Sequence, residues 1–167
     1  YRRSGQMDMA ERTLFNGMQI LPEEASLHAG LGIVYLEQNK LDQAALEFQE
    51  AVNLDPSDSG SWINVSLTYR RQERLAEAVN VLRQGIETIP GDPELRLYLG
   101  SMFLSQKEYK RAISEFKKAL DIDEDYPKSW ISLAYAYIDQ GKKKEGVQAL
   151  EEAIDLIPND VELRLNL

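Results

Sequence analysis

Apolar residues recur along the chain in short segments, at steps of three and four residues, and polar breaks separate the segments. One segment contains Leu31, Val34 and Tyr35. The next segment follows the same steps through Leu41, Ala44, Ala45, Phe48, Ala51 and Val52. Such steps place side chains on one face of an α-helix. The pattern therefore predicts a series of short amphipathic helices.

The pattern repeats every 34 residues without an insertion. Trp62 and Trp130 lie 68 positions apart, which is twice 34. The same shift aligns the aromatic residues Tyr35, Tyr69, Phe103 and Tyr137. Periods of this length are typical of helical repeat proteins. We assign four full repeats, over residues 25–58, 59–92, 93–126 and 127–160, with a partial repeat over 1–24 and the start of another over 161–167.

Each repeat contains two predicted helices. The first helices are expected near 26–38, 60–72, 94–106 and 128–140, and the second near 41–54, 75–88, 109–122 and 143–156. Asp58, Asp92 and Asp160 stand where a capping side chain would precede a first helix. By the same count, residues 1–24 should contain the end of a first helix, with Tyr1 in the aromatic column, and a whole second helix.

The repeat resembles the tetratricopeptide repeat (TPR), whose signature is W-x2-L-G-x2-Y, then A-x3-F and a late Pro. The first full repeat carries it as His28, Leu31, Gly32, Tyr35, Ala44, Phe48, Ala51 and Pro56. Ser66 and Gly146 depart from it and are expected to loosen their local contacts. The resemblance implies an all-α fold, an α-solenoid in which antiparallel helix pairs stack into a right-handed superhelix. First helices would line its concave groove.

Steric fit explains the repeated columns. A single helix pair is too small to bury its own apolar face, so it stacks on the next pair. Gly32 and Gly100 are expected where helices approach closely, and Phe48 and Phe116 should fill the spaces between them. Neither end of the sequence shows the polar outer face of a terminal repeat, so we expect a piece of a longer array.

Composition and charge argue against two classes of function, nucleic-acid binding and membrane insertion. Hydrophobic residues make up 43% and charged residues 28%, as in an ordered protein. A net charge of -9 opposes general nucleic-acid binding, which needs a basic surface. No apolar run approaches the roughly 18 residues of a membrane span, so direct membrane insertion is not expected. An acidic chain without cysteine would suit a bacterial cytoplasm, although the sequence leaves the compartment open.

Candidate catalytic chemistry is sparse. His28 is the single histidine, and it occupies the column of Trp62, Arg96 and Trp130, which indicates packing between repeats. Asp121, Asp123 and Asp125 begin like a calcium loop, but the required later Gly and Glu are absent. We therefore expect no enzyme, no metal and no cofactor.

The TPR resemblance implies that a partner protein or peptide binds in the groove. The family's groove-facing positions on the first helices carry a mainly apolar strip with a mixed charged rim. The candidate groove residues are Ile33, Leu36, Ile63, Asn64, Leu67, Arg70, Arg71, Leu97, Tyr98, Ser101, Leu104, Lys128, Ile131, Tyr135 and Ile138. Some of these aliphatic side chains could instead contact neighbouring helices. An exposed apolar strip of this length is typical of a binding surface.

Some family members clamp the acidic tails of heat-shock chaperones with Lys, Asn and Arg side chains. Only Asn64 matches that clamp here, whereas Ala29, Ile33, Glu94 and Tyr98 occupy other clamp positions. The sequence therefore favours an adaptor that binds an apolar or amphipathic segment. One alternative is a scaffold that self-associates through open repeat ends, with Leu163, Leu165 and Leu167 as donors. Another is the regulatory array of a larger protein whose catalytic domain, such as a glycosyltransferase, lies elsewhere.

Overall fold

The structure, a computed structural model, describes residues 2–166, which form ten α-helices. In chain order the helices are α1 (Arg2–Ile20), α2 (Ala25–Glu37), α3 (Leu41–Leu54), α4 (Ser59–Arg71), α5 (Leu75–Thr88), α6 (Pro93–Ser105), α7 (Tyr109–Ile122), α8 (Pro127–Asp139), α9 (Lys143–Leu156) and α10 (Val161–Asn166). The predicted all-α solenoid class is confirmed.

The four second helices have the predicted bounds, and each full first helix lies one residue earlier than predicted. The shift has a local cause at both ends. Asp58 and Asp92 are N-caps, so the residue directly after each is already helical. At the other end, residues such as Gln38 are C-caps rather than the last helical residues.

The N-terminal segment differs from the prediction. Residues 2–20 form one uninterrupted helix, α1, instead of the end of a first helix, a turn and a second helix. The period of 34 places that turn at Gly5. The backbone is helical through this position. Tyr1 and Leu167 lie outside the described residues.

Aspartate side chains cap three of the first helices, as predicted. The Asp58 carboxylate accepts hydrogen bonds from the backbone N–H groups of Gly60 (3.2 Å) and Ser61 (3.0 Å). Asp92 accepts from Leu95 N–H at 3.0 Å, and Asp160 from Leu163 N–H at 2.9 Å. Because the first N–H groups of a helix have no partner within it, each cap fixes where a first helix begins.

Every full first helix ends in the same turn. The residues one past the C-cap have positive φ angles: 59° at Asn39, 63° at Glu73, 59° at Lys107 and 88° at Gly141. In the first of these turns, Lys40 N–H donates to the Tyr35 carbonyl at 2.8 Å. This hydrogen bond, from the second residue past the C-cap back to the last turn of the helix, is characteristic of the Schellman motif, which normally places glycine at the left-handed position. Only the fourth repeat has that glycine.

Replacing Glu73 or Lys107 by glycine is therefore expected to stabilise the protein. The gain in the free energy of unfolding should be roughly 0.5–1 kcal/mol, because a left-handed residue with a Cβ costs about 1–2 kcal/mol and glycine's freedom in the unfolded chain offsets part of the gain. Urea unfolding followed by circular dichroism measures the change. Gly141→Ala is the matched control and should lose a similar amount. A loss of stability in both glycine variants would contradict the argument.

The chain divides into two compact units, Tyr1–Ile89 and Pro90–Leu167. In the N-terminal unit each helix from α1 to α5 packs on the next. In the C-terminal unit each helix from α6 to α10 packs on the next, and α8 also contacts both α6 and α10. Each unit is thus a small stack of helix pairs with its own core.

Paired residues fill the space inside each helix pair. A Cβ atom on Gly32 would lie 2.7 Å from the Phe48 ring, and one on Gly100 would lie 2.5 Å from the Phe116 ring. This confirms the predicted close approaches. In the second and fourth repeats a larger residue replaces the glycine and a smaller one replaces the phenylalanine: Ser66 faces Leu82, and Ala134 faces Leu150. The volume lost by one member is gained by the other.

Candidate functional site

Indole groups anchor two of the first helices, α4 and α8, which carry candidate groove residues. The Trp62 Nε1–H group donates to the Pro56 carbonyl at 2.9 Å, and Trp130 Nε1–H donates to the Glu124 carbonyl at 2.7 Å. Both acceptors lie in the turn that precedes the helix. Each indole therefore fixes the direction in which its helix leaves that turn.

Side chains that contact a glutamate replace tryptophan in the first and third repeats. His28 Nδ1 lies 2.8 Å from Glu47 Oε2, and its Nε2 lies 3.4 Å from the Pro22 carbonyl. Arg96 Nη1 lies 3.2 Å from Glu115 Oε2 at the corresponding position. The side chain of His28 is only 12% exposed, so this histidine packs between structural elements, as the sequence indicated.

In the N-terminal unit, the candidate groove residues differ widely in exposure. Ile33 on α2 is 48% exposed, whereas Leu36, Asn64 and Leu67 are half-buried. Ile63 is only 5% exposed. The expected exposed strip is therefore interrupted at Ile63, which belongs to the core.

The two candidate arginines of α4 have different surroundings. The Arg71 guanidinium donates to the Leu36 carbonyl at 3.1 Å and to Asn39 Oδ1 at 3.2 Å. It thus satisfies a carbonyl at the C-terminus of α2 and ties α4 to α2. Arg70 is exposed and forms no salt bridge within the described part of the chain. Arg70 is the arginine that remains available to a ligand.

The C-terminal unit also buries part of its expected strip. Leu97 is only 7% exposed, and its carbonyl accepts a hydrogen bond from Ser101 Oγ at 2.9 Å. A Cβ atom on Gly146 would lie 2.7 Å from Cγ1 of Ile138. Ile138 therefore packs against α9, and the small residue Gly146 makes room for it rather than loosening the contact. Leu104 is half-buried.

The remaining candidates of this unit lie on α6 and α8 and reach the surface. Tyr135 is 49% exposed, and Lys128 is also exposed. Tyr98 and Ile131 are half-buried. These four side chains combine aromatic, aliphatic and cationic character, and they define what we call the C-terminal first-helix face. The N-terminal first-helix face consists of Ile33, Leu36, Asn64, Leu67 and Arg70.

An acidic environment lies beside the C-terminal first-helix face. The pKa of Tyr126 is raised to about 12, chiefly by burial and also by the nearby Glu94, Tyr98, Asp92 and Asp123, which oppose a further negative charge. Sequence reasoning did not single out Tyr126, because its position in the turn before α8 follows no apolar period. The carboxylates beside Tyr126 therefore oppose the attraction of the exposed Lys128 for an acidic ligand at this end of the face.

Two further observations concern membrane-crossing helices and metal sites. No described helix has both the length and the apolar character needed to cross a membrane. Among the side chains that the structure describes, no three His, Asp or Glu residues cluster in a way that could hold a metal ion.

The fold and its two first-helix faces define an α-helical repeat protein, and the sequence agrees with one family. Tetratricopeptide repeat family patterns match residues 25–58, 66–127 and 103–167. The chain belongs to the tetratricopeptide repeat family. No curated protein sequence matches it. Proteins of this family are generally non-catalytic scaffolds.

Several solved structures share the fold. MamA from Desulfovibrio magneticus RS-1 (residues 41 to the end) is 17% identical, with 95% of this chain and 90% of that chain covered and a TM-score of 0.73. TTC0263, a thermophilic TPR protein of Thermus thermophilus, is 22% identical over 98% and 90% of the two chains, with a TM-score of 0.73. YrrB, a TPR protein with an unusual peptide-binding site, is 18% identical over 98% and 84%, with a TM-score of 0.67.

Proposed function

We propose that this chain acts as an adaptor whose first-helix faces bind an apolar or amphipathic segment of another protein. The family and the fold support the broader class, a protein-interaction scaffold. The observation that carries the proposal is the presence of exposed apolar side chains at groove positions in both units. Ile33 and Tyr135 are each about half exposed, although neighbouring positions on the same helices are half-buried or buried.

Half-buried aliphatic neighbours extend each contact. Leu36 and Leu67 lie on the same face as Ile33, and Ile131 lies on the same face as Tyr135. Covering one aliphatic side chain fully contributes about 1.5–3 kcal/mol before the cost of ordering the ligand. A micromolar complex needs a binding free energy of about 8 kcal/mol. Three or four such contacts supply it if the ligand is also well oriented.

Charged residues at the rim would set orientation. Arg70 and Lys128 are exposed and favour an acidic flank of the ligand, whereas the exposed Glu37 and Asp139 disfavour one. Mixed charges of this kind select one register of a bound segment more than they raise its affinity. YrrB, which shares the fold, has an unusual peptide-binding site, and this supports a peptide as the class of ligand.

The proposal is tested with peptides selected from a random 12-residue display library on the intact chain. Ile33→Asp should weaken peptides that bind the N-terminal first-helix face, and Tyr135→Asp those that bind the C-terminal first-helix face. Each loss should be about tenfold, equivalent to about 1.4 kcal/mol, in fluorescence anisotropy. The matched controls introduce the same charge on second helices. They are Leu46→Asp, at a residue 71% exposed on α3, and Val147→Asp, at an exposed residue on α9. Both controls should change affinity less than about twofold, by the usual small effect of surface substitutions.

Equal losses in the groove and control variants would contradict the proposal, as would selected peptides that lack apolar residues. A second candidate function, self-association, is favoured by α10. Leu165 is 81% exposed there, although Leu163, which was also expected to need cover, is already buried. If no peptide is selected and the chain sediments as an oligomer in analytical ultracentrifugation, the self-associating scaffold replaces the adaptor.

A further inference from the structure

A cleft of about 320 Å³ lies between α7, α8 and α9 in the C-terminal unit. Its residues are different from those of the first-helix faces, and two of its three helices are second helices. Leu133 and Ala149 are buried at its base, and Trp130 and Tyr137 are half-buried at its walls. Exposed carboxylates form its rim: Asp121, Glu145 and Glu152.

The small side chain of Ala149 is one reason why the cleft is open. Ala149 stands 68 residues after Val81, in the same column of the repeat, and Val81 is buried. Trp130 stands in the column of Trp62, which is buried, whereas Trp130 is only half-buried. The change from valine to alanine removes two methyl groups beside this column. The fourth repeat thus keeps the aromatic wall and lacks the side chain that would cover it.

The rim charge is unbalanced. None of Asp121, Glu145 and Glu152 forms a salt bridge with a described residue. Glu152 accepts a hydrogen bond from the neutral Gln148 amide at 2.9 Å. Lys117 is the one cationic side chain that lines the cleft in the described residues. Three carboxylates against one ammonium leave a net negative rim around an apolar base.

The equivalent positions two repeats earlier, on α3 and α5, show that this charge is not required for folding. The residues 68 positions before Asp121 and Glu152 are the neutral Asn53 and Gln84. The residue 68 positions before Glu145 is Glu77, whose carboxylate lies 3.0 Å from the Arg74 guanidinium. The cleft therefore carries carboxylates at positions where the same helix stack folds with neutral or neutralised side chains.

The aromatic wall already accepts a cation. Lys117 Nζ lies 5.8 Å from the centre of the Tyr137 ring, within the range of cation–π attraction. Arginine suits such a site better than lysine, because its planar guanidinium can stack on an aromatic ring and pair with a carboxylate at the same time. The cleft therefore combines the two features that recognise a guanidinium group.

We propose that the α7–α9 cleft is a second binding site, which takes an arginine side chain presented by a partner protein. The guanidinium group stacks on the Trp130 and Tyr137 wall and pairs with Asp121 or Glu152 at the rim. The apolar stem of the arginine covers Ala149 and Leu133. The site is separate from the first-helix faces, so it can hold a basic segment while the groove holds an apolar one.

The test uses the intact ¹⁵N-labelled chain and two probe peptides, acetyl-Gly-Gly-Arg-Gly-Gly-amide and its uncharged citrulline counterpart. The chain has two tryptophans, so each indole N–H gives its own nuclear magnetic resonance signal. The arginine peptide should shift the Trp130 signal and leave the Trp62 signal unchanged, which makes Trp62 the internal control. The citrulline peptide should shift neither signal.

Four substitutions sharpen the test, and each introduces the residue found 68 positions earlier in the chain. Ala149→Val should weaken binding by at least about tenfold by filling the cleft. Asp121→Asn with Glu152→Gln should weaken it about fivefold, and Lys117→Gln should strengthen it about twofold by removing the competing cation. Circular dichroism verifies that every variant is folded.

Three results would overturn the proposal. The first is a Trp62 shift equal to that of Trp130. The second is full binding by the folded Ala149→Val variant. The third is a citrulline peptide that binds as tightly as the arginine peptide. None of these readouts depends on the first-helix faces, so the outcome is independent of the groove proposal.

Discussion

Gly100→Ala is expected to destabilise the C-terminal unit by about 1–3 kcal/mol, the range found for overpacked cores. Elsewhere in a helix the same substitution stabilises, because alanine favours the helix by roughly 1 kcal/mol. Here the added Cβ atom would lie 2.5 Å from Cε1 of Phe116, which is fully buried and cannot move into solvent. Urea unfolding followed by circular dichroism gives the free energy of unfolding.

A second substitution distinguishes a steric clash from a general defect. Phe116→Leu alone should destabilise by about 1 kcal/mol or more, since it leaves a cavity. Combined with Gly100→Ala, it should restore part of the loss, because the fourth repeat folds with Ala134 opposite Leu150 in these columns. Gly91→Ala is the control, as nothing lies within 4 Å of its Cβ position. Additive losses in the double variant would disprove the clash.

Leu97→Asp is expected to cost about 3–5 kcal/mol of stability, the range for an uncompensated buried charge. On the sequence alone, Leu97 is a candidate groove residue that is either exposed or in contact with a neighbouring helix, and the substitution should leave the fold intact only if Leu97 is exposed. The structure leaves only 7% of Leu97 exposed, and its neighbour Ser101 already donates its hydroxyl hydrogen to a backbone carbonyl. A carboxylate at this position would therefore have neither water nor a prepared donor.

The matched control is Leu46→Asp, which introduces the same side chain at a residue that is 71% exposed. It should change the free energy of unfolding by no more than about 0.5 kcal/mol. Thermal unfolding measures both variants under one set of conditions. If Leu97→Asp is as stable as Leu46→Asp, Leu97 is accessible in solution and returns to the candidate groove.

The helix boundaries could be predicted because their determinants are local. Asp58 and Asp92 sit directly before the helices that they cap, and the period of 34 carries each boundary to the next repeat. The left-handed turns could not be predicted at Glu73 and Lys107, since neither residue favours a positive φ angle. There the Schellman hydrogen bonds of the repeat override the preference of the single residue.

The sequence could predict which repeat positions belong to the candidate site, but not which side chains at those positions are exposed. Exposure within a column depends on the side chains around it, so one groove column is buried at Ile63 and half-buried at Ile131, 68 residues later. Ile138 shows the same dependence, because it packs on α9 where Gly146 leaves room. Arg71 contacts the Leu36 carbonyl, a backbone atom that no pattern of side chains reveals.

The contacts that His28 and Arg96 make with glutamates have a consequence for designing new repeat arrays. His28 pairs with Glu47 and Arg96 with Glu115, whereas the repeats that carry Trp62 and Trp130 have Val81 and Ala149 in the glutamate column. A consensus sequence built column by column would choose tryptophan in one column and glutamate in the other. That combination occurs in none of the four full repeats, and it would leave a carboxylate beside an indole with no cation. Consensus engineering of this array should therefore copy whole repeats rather than the commonest residue at each position.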